Sequence, residues 1–370
     1  MSTIREVAKA AGVSTATISH VLNGRNDRVS EETRTRVMAA IRELKYRPPA
    51  MENQQRALLT RNIGVMASDL TKSPLLGVGH GYFLRVLDGI LESAFFRGWT
   101  ATITAERIWD DMGGTIRRSY DGRCDGLIFV GPALNDPLVE SLQERGTPLV
   151  LVGTTAKLPD ISSVDVDNDG IGFAAAEHLL ILGHKTFAYI GRDELTCSAL
   201  EREAGFRRCL VEADISLSHY QVYDRRDYKL SYKEIVDLIV ESAPGTRPTG
   251  LMCWNDGTGY DLSAALIARG MSIPGDISIV GVDASKAEDP TLPQLTSFPQ
   301  PLQAIGRRAA NLLIDKLGEE GQPSEVVKFN SEISVQESTG PAPDKHKDFS
   351  SIDIVTNGGL HEPKQSIHAY

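Results

Sequence analysis

The feature that most constrains this chain is its N-terminal segment, residues 2–23, which predicts two short amphipathic helices separated by a glycine turn. Thr3 and Glu6 have the spacing of a capping box, and Ser14 is a candidate N-cap for the second helix. Helices this short bury little surface alone, so a third helix is expected, and residues 30–44 supply it. The pattern predicts a helix-turn-helix unit, whose second helix commonly lies in the DNA major groove.

The exposed face of the second predicted helix carries Thr15, Ala16, Thr17 and His20. These short or hydrogen-bonding side chains suit contacts to base edges, whereas a plain three-helix bundle is the structural alternative. The charge distribution favours DNA. Residues 1–60 carry a net charge of +4, whereas the remainder of the chain carries −14.

From residue 62 the sequence alternates short apolar runs with amphipathic helical segments, a pattern typical of doubly wound parallel α/β sheets. About 280 residues are too many for one such sheet and predict two. Strands are expected at 63–68, 100–105, 126–131, 148–153, 162–167, 187–191, 220–224, 249–254 and 277–283. Helices are expected at about 83–97, 111–122, 136–145, 168–182, 199–212, 231–241, 257–269 and 302–317.

The motif TIREVAKAAGVSTATISHVLNG (3–24), followed by RVSEETRTRVMAAIRELKYRP (28–48), closely resembles the DNA-binding domain of the lac-repressor/GalR (LacI) family of bacterial transcription regulators. Further runs resemble the core of the same family, the strongest being VDVDNDGIGFAAAEHLLILGHKTFAYIGR (164–192). The resemblance covers everything except the C-terminal tail. It implies a periplasmic-binding-protein-like core of two lobes joined by three chain crossings.

The resemblance also implies domain boundaries. These are a helix-turn-helix head at 1–46, a hinge at 47–61, an effector-binding and dimerisation core at 62–340, and a tail at 341–370. One lobe would comprise about 62–162 and 293–321, and the other about 163–290 and 322–340. The tail is polar and without leucine heptads, so we expect it to be disordered, with a role in partner contact as the alternative.

By position, the resemblance assigns base reading to Thr15, Ala16 and His20. It assigns contacts to DNA phosphates to Ser14, Thr17, Ser19, Asn23 and Arg28.

The hinge departs from the family pattern. The family has a hinge helix that folds on DNA and wedges leucines into the minor groove. In this chain Pro49, Glu52-Asn53 and Gln55 replace the small residue, the Ala-Arg pair and the wedge leucine. Two alternatives remain open: Arg56 enters a narrow minor groove, or the hinge stays largely disordered.

In the core, Arg202, Asn255 and Asp283 match the positions with which the family holds its effector. A guanidinium, an amide and a carboxylate can together satisfy vicinal hydroxyls or a purine edge. Further candidates are Ser68, Asp69 and Thr154, which are expected to line the cleft, and Trp254, which either stacks on a sugar or fills core. Asp256 is either a ligand group or a helix cap, and Asp167 is expected to cap and His184 to satisfy backbone groups.

No catalytic residues, metal site or cofactor are predicted. The four cysteines lack metal-ligand spacing, and no nucleophile–base motif is present. No apolar run reaches 18 residues and no signal segment precedes the first helix, which predicts a cytoplasmic protein without membrane contact.

These observations predict a homodimeric, sequence-specific DNA-binding regulator, most simply a repressor, that binds a near-palindromic operator. The resemblance implies a small-molecule effector, a sugar or sugar derivative before a nucleobase, that would bind between the lobes and change the spacing of the heads. The sequence itself does not choose between these two classes. One alternative is a ligand sensor whose atypical hinge leaves only weak, non-specific DNA binding. Another is a constitutive DNA-binding protein with a vestigial pocket.

Overall fold

The computed structural model describes residues 3–22, 29–44, 59–67, 81–104, 123–155, 158, 160–191, 196–223, 230–243, 245–318 and 323–344. Within these ranges the chain forms a small helical head and a core of two parallel β-sheets covered by helices. No helix in the described ranges combines the length and apolar character needed to cross a membrane.

Three helices make up the head: α1 (Ile4–Ala11), α2 (Thr15–Leu22) and α3 (Glu31–Glu43). Their predicted apolar faces meet in a separate small core. The buried members of that core are Val7, Ala8, Ala11, Ile18, Val21, Val37, Ala40 and Ile41. The head therefore has its own hydrophobic core, separate from those of the two sheets.

The first sheet has six parallel strands in the order β11-β5-β4-β3-β1-β2. Its strands are β1 (Asn62–Ala67), β2 (Thr100–Thr104), β3 (Gly126–Val130), β4 (Leu149–Val152), β5 (Ser162–Val166) and β11 (Val326–Phe329). Three described helices accompany it: α4 (Gly81–Phe96), α5 (Pro137–Glu144) and α10 (Leu302–Gly318). The central strands β1, β3, β4 and β5 are almost completely buried, as expected where helices cover both faces of a parallel sheet.

The second sheet has five parallel strands in the order β10-β9-β8-β6-β7. Its strands are β6 (Phe187–Ile190), β7 (Tyr220–Tyr223), β8 (Gly250–Cys253), β9 (Ser278–Val282) and β10 (Thr296–Phe298). The helices of this lobe are α6 (Asn168–Ile181), α7 (Cys197–Glu212), α8 (Tyr232–Glu241) and α9 (Asp256–Ala268), with a short 3₁₀ turn at Leu217–His219. The predicted class, a helical head plus a core of two doubly wound parallel sheets, is confirmed.

The strand pairings place the lobe boundaries later in the chain than predicted. Ser162–Val166 pairs with β4 and β11 and therefore stays in the first sheet, although the lobes were expected to divide at residue 162. Thr296–Phe298 pairs with β9 in the second sheet, and Val326–Phe329 returns to the first. Each crossing therefore lies later in the chain than expected, because β5 and two unpredicted strands, β10 and β11, complete the sheets before the chain crosses over.

Asp167 lies at the first of these crossings. It occupies the N-cap position of α6 but makes no side-chain capping bond, contrary to its expected role. Its carboxylate instead accepts a hydrogen bond from the Lys328 ammonium on β11 at 3.4 Å. Asp167 thus connects two of the strands at which the chain passes between lobes.

His184 joins the end of α6 to the C-terminal segment of the core. Its Nε2 donates to the carbonyl oxygen of Gly340 at 3.2 Å, and its Nδ1 lies 3.0 Å from the hydroxyl of Thr249. The ring is buried, and this burial lowers the pKa of His184 to about 4. These contacts agree with the predicted structural role.

The lowered pKa of His184 predicts a loss of stability in acid. Between about pH 6.5 and pH 4 the unfolded chain binds a proton at His184 that the folded chain does not bind. We therefore expect the free energy of unfolding to fall by about 3 kcal/mol over this range through His184 alone. Urea unfolding at pH 7.5 and 4.5 should show a smaller pH-dependent loss in His184→Gln than in the wild type, whereas the exposed control His219→Gln should behave like the wild type. An equal loss in His184→Gln and the wild type would contradict the prediction.

Candidate functional site

Side-chain caps set the helix ends in the head. The backbone N–H of Glu6 donates to the hydroxyl of Thr3 at 3.3 Å, and the Glu6 carboxylate accepts from the Thr3 backbone N–H at 2.6 Å. These bonds form the predicted capping box and lower the pKa of Glu6. The backbone N–H of Thr17 donates to the Ser14 hydroxyl at 3.1 Å, which confirms the predicted cap of α2.

The turn between α1 and α2 depends on Gly12, whose φ of 64° lies in the left-handed region that glycine adopts without strain. Its backbone N–H donates to the carbonyl oxygens of the last turn of α1. Together with the Ser14 cap, this turn fixes the direction in which α2 leaves α1. The shared apolar core of the head then packs α2 against the other two helices.

The outer face of α2 carries the residues predicted to read bases. Thr15 and Ala16 are exposed, and His20, about one turn further along the same helix, is half-buried. Among the predicted phosphate contacts, Ser14 is exposed and Ser19 is half-buried. Three predicted DNA contacts, Asn23, Arg28 and Arg56, lie outside the described residues, as do hinge residues 47–58.

A polar cleft lies where the carboxyl ends of strands from both sheets meet. Thr154 and Thr155 follow β4, Asp165 lies near the end of β5, and Trp254 and Asp283 follow β8 and β9. Such convergence at strand ends is where open α/β sheets bind ligands. The predicted cleft residues Ser68 and Asp69 lie outside the described residues.

Arg202, which was predicted from its motif, lies at the centre of this cleft on α7 and is buried. Its Nε donates to the side-chain oxygen of Asn168 at 2.9 Å, and its guanidinium also donates to the carbonyl oxygen of Trp254. The amide group of Asn168 in turn donates to the Asp165 carboxylate at 2.8 Å. Arg202 thus connects the end of β5 in the first sheet with the end of β8 in the second.

The helix cap that the sequence considered for Asp256 is supplied by Asn255, its neighbour in the chain. The side-chain oxygen of Asn255 accepts from the Thr258 backbone N–H at 2.9 Å and caps α9. Asp256 is fully buried and accepts from the backbone N–H of Ser285 and the hydroxyl of Ser297, both at 2.7 Å. Asp256 therefore neither caps the helix nor faces a ligand, but connects α9 to β10, and its burial raises its pKa to about 7.

Asp283 follows β9 with a φ of 119°, a backbone conformation that non-glycine residues rarely adopt. Its carboxylate accepts a hydrogen bond from the side-chain amide of Gln300 at 2.6 Å. Burial raises the pKa of Asp283, and the nearby Arg202 opposes that rise. This predicted residue therefore does lie in the cleft beside Arg202.

Contacts across the cleft link residues of the first lobe to α7 of the second. The hydroxyl of Thr155 donates to the carboxylate of Glu201, and the thiol of Cys197 forms a hydrogen bond with Thr154. Thr154, a predicted cleft residue, is therefore buried between the lobes. Trp254 is half-buried and packs against the main core, which leaves its predicted stacking role untested.

The sequence did not single out five residues of the cleft: Tyr82, Asp165, Asn168, Glu201 and Gln300. Asp165 and Asn168 belong to the motif VDVDND, so a polar pair at a strand end was a usable signal. Glu201 adjoins a predicted residue in the chain. Tyr82 and Gln300 come from segments without such a signal, and only the fold places them here. Among the described residues, no group of three or more His, Cys, Asp or Glu could hold a metal ion.

Comparison with known proteins agrees with this arrangement. The family described as bacterial regulatory proteins, lacI family, matches residues 3–49, and a periplasmic binding protein-like domain matches residues 176–339. The chain is 28% identical over 343 residues to the HTH-type transcriptional repressor PurR of Vibrio campbellii (strain ATCC BAA-1116), covering 91% of this chain and 98% of that protein. The PurR of Aliivibrio fischeri (strain MJ11) is 29% identical with the same coverage.

Solved structures show the same architecture. The transcriptional regulator CelR in complex with cellobiose is 26% identical, with a TM-score of 0.63 over 91% of this chain and 100% of that chain. A LacI family transcriptional regulator from Enterococcus faecium with bound ribose is 23% identical, with a TM-score of 0.62 over 76% of this chain and 99% of that chain, which shows the shared fold. The helix-turn-helix head and the two-lobed core thus resemble those of the LacI family of bacterial transcription regulators.

Proposed function

We propose that this chain is a homodimeric repressor of the LacI family that binds a near-palindromic operator through its two heads and responds to a small molecule in the cleft. The observation that carries the proposal is the outer face of α2, where Thr15 and Ala16 are exposed on a helix capped by Ser14. Thr and Ala side chains contact thymine methyls, and His nitrogens bond base edges or phosphates. The hinge at 47–61 would join these heads to the core.

The polar cleft supports the proposed response to a small molecule. Arg202 and Asp283 lie there with several buried polar groups, in the region where α/β sheets bind ligands. A sugar or sugar derivative is the proposed effector, and cellobiose in the CelR structure supports this class. Binding that favours one arrangement of the lobes would change the distance between the heads and hence operator affinity.

An exposed apolar face supports the proposed homodimer. We name it the α4 face; it consists of Leu84, Leu91, Phe95, Phe96 and Ile103. Leu84, Leu91 and Phe95 recur at helical spacing along one stripe of α4, and the side chains of Phe95 and Phe96 are 78% and 77% exposed. Large apolar side chains so grouped at a surface mark an interaction site.

A second copy of the chain is the occupant that fits this face. Ile103 lies on β2, the end strand of the first sheet among the described residues, so the face continues from the helix onto this strand. A two-fold axis would place the same patch of each copy against the other, with the exposed Asp88 on the same stripe of α4 and the exposed Arg85 beside it. One head reads only a half-site, so a palindromic operator requires such a pairing.

Selection of bound duplexes from random DNA tests the proposed function. We expect the full chain to select a palindromic consensus. In Thr15→Ala and His20→Ala, preference should relax at a defined position in each half-site, with a loss of about 10- to 100-fold for the consensus. Thr35→Ala, the same change on the exposed face of α3, serves as the matched control and should keep the consensus.

The selection is repeated at two salt concentrations because phosphate contacts alone give salt-dependent binding without sequence preference. Binding that fades with salt and selects no consensus would overturn the repressor proposal and favour the ligand sensor with a weakened hinge. If the chain selects a consensus but none of the ligands tested changes its affinity for that DNA, the constitutive DNA-binding protein would be favoured.

A further inference from the structure

Three buried polar atoms at the cleft have no hydrogen-bond partner in the described part of the chain: Tyr82 Oη, Glu201 Oε2 and Gln300 Oε1. They come from the start of α4, from α7 and from the segment after β10. Buried polar groups in folded proteins are nearly always paired, because an unpaired one loses its hydration without compensation. Three such atoms around one cleft indicate that a bound molecule completes their hydrogen bonds.

Several observations place these groups around one space. The Tyr82 hydroxyl lies beside Gly153, at 2.9 Å from where a Cβ on that glycine would be, so it reaches the end of β4. Gln300 holds Asp283 through its amide group, so its oxygen lies on the same side of the cleft. Glu201 uses one carboxylate oxygen for the Thr155 hydroxyl, which leaves the other between the two lobes.

Acceptors outnumber donors among these groups. Three carboxylates, those of Asp165, Glu201 and Asp283, lie near two guanidinium groups. Arg202 already donates to Asn168 and Trp254, and Arg85 acts on Asp283. Burial raises the pKa of Asp165 to about 6 and also raises the pKa of Asp283. Asp165 and Asp283 are therefore poorly solvated, and a further negative charge brought beside these two carboxylates would be repelled at low effective dielectric.

We propose that the effector is a polyhydroxy molecule without negative charge, and that Glu201 excludes its phosphorylated and carboxylated counterparts. This inference rests on the proposed effector-binding function and specifies the chemistry of that site. Hydroxyl groups can donate to Glu201 Oε2 and Gln300 Oε1 and accept from Tyr82 Oη, which satisfies all three unpaired atoms. A phosphate or carboxylate accepts hydrogen bonds only, and would meet the Glu201 carboxylate directly.

Thermal-shift titration of the full chain with matched pairs of compounds tests this inference. The pairs are ribose with ribose 5-phosphate, glucose with glucose 6-phosphate, and glucose with glucuronate; cellobiose is tested alone. We expect at least one neutral compound to raise Tm in a saturable manner. Its anionic counterpart should require at least a tenfold higher concentration, a discrimination expected from one like-charge contact in a buried site.

Glu201→Gln keeps the shape of the side chain and removes its charge. We expect it to reduce the discrimination between the neutral and anionic members of a pair at least about fivefold. The matched control is Glu212→Gln, the same change at the opposite end of α7, where Glu212 pairs with Arg208 at the surface. This control should leave the discrimination unchanged.

Three results would overturn the inference: an anionic compound that binds more tightly than its neutral partner, unchanged discrimination in Glu201→Gln, or no response to any compound tested. The DNA selection separates this failure from failure of the proposed function. A palindromic consensus without carbohydrate binding overturns this inference alone. Binding of a neutral sugar without a consensus supports this inference and overturns the repressor proposal.

Discussion

Replacing Phe95 by glutamate is expected to convert the protein into a monomer and to weaken operator binding by about 10³-fold. Phe95 is 78% exposed on the α4 face, where the proposed dimer would bury it against a second copy. A buried, unpaired carboxylate at the centre of such a contact costs far more free energy than the lost apolar area. Operator binding falls with it, because two heads joined in one dimer bind with a high effective concentration that two separate monomers lack.

The measurement is the molar mass in solution by light scattering, followed by the affinity for the selected operator. Ile181→Glu is the matched control because Ile181 is also 78% exposed but lies on α6 in the second lobe, far along the chain from the α4 face. It should remain a dimer with unchanged operator affinity. Ile181→Glu should keep the wild-type Tm within about 1 °C, since its side chain is not buried in the protomer. Phe95→Glu should lose only the concentration-dependent part of Tm that dimerisation adds. A dimeric Phe95→Glu protein, or a monomeric Ile181→Glu protein, would contradict the proposed surface.

The head was predictable because its determinants are local. Thr3, Ser14 and Ser30 cap helices whose first turns they precede, and each cap bond spans three residues. The turn between α1 and α2 requires one residue with positive φ, and Gly12 supplies it close to these caps. Because these interactions join residues only a few positions apart, the local sequence pattern is enough to predict the helices and the turn.

The lobe crossings were displaced because the strands that decide them are short and carry little apolar pattern. β10 has three residues, and β11 alternates exposed and half-buried side chains at the edge of its sheet. β11 pairs with β5, which is some 160 residues earlier in the chain, so only the assembled sheet identifies it as a strand. The strand propensity and the apolar periodicity of a segment do not reveal pairing with a strand so far away in the chain.

The cleft was predictable only in part for a similar reason. Arg202 and Asp283 follow from motifs at a helix start and a strand end, and the structure places both beside the cleft. Glu201 is identified as a cleft residue by its hydrogen bond with Thr155, which belongs to the other lobe. The distinction between a surface glutamate and a cleft glutamate therefore arises in the folded state alone.

One further property of the cleft depends on glycines. Helices α6 and α7 cross so closely that a Cβ on Gly172 would lie 1.9 Å from the carbonyl oxygen of Arg202, and one on Gly205 would lie 1.9 Å from that of Asp169. The atoms that these Cβ groups would meet belong to the backbone of the facing helix, so no flexible side chain could move aside to relieve the clash. The two helices therefore bring Asn168 and Arg202 within hydrogen-bond distance because both crossing positions lack a side chain.

Gly172→Ala is accordingly expected to lower the free energy of unfolding of the core by about 4 kcal/mol, above the usual cost of an inserted methyl, because the helices themselves must separate. The separation would draw Arg202 away from Asn168 and abolish any ligand-induced rise in Tm. Urea unfolding and thermal-shift titration measure the two effects, and Gly318→Ala, where a Cβ meets nothing within 4 Å, is the matched control. If Gly172→Ala unfolded within 0.5 kcal/mol of the wild type, the close crossing would not be what positions Arg202, and the cleft geometry would have to be maintained by its polar contacts instead.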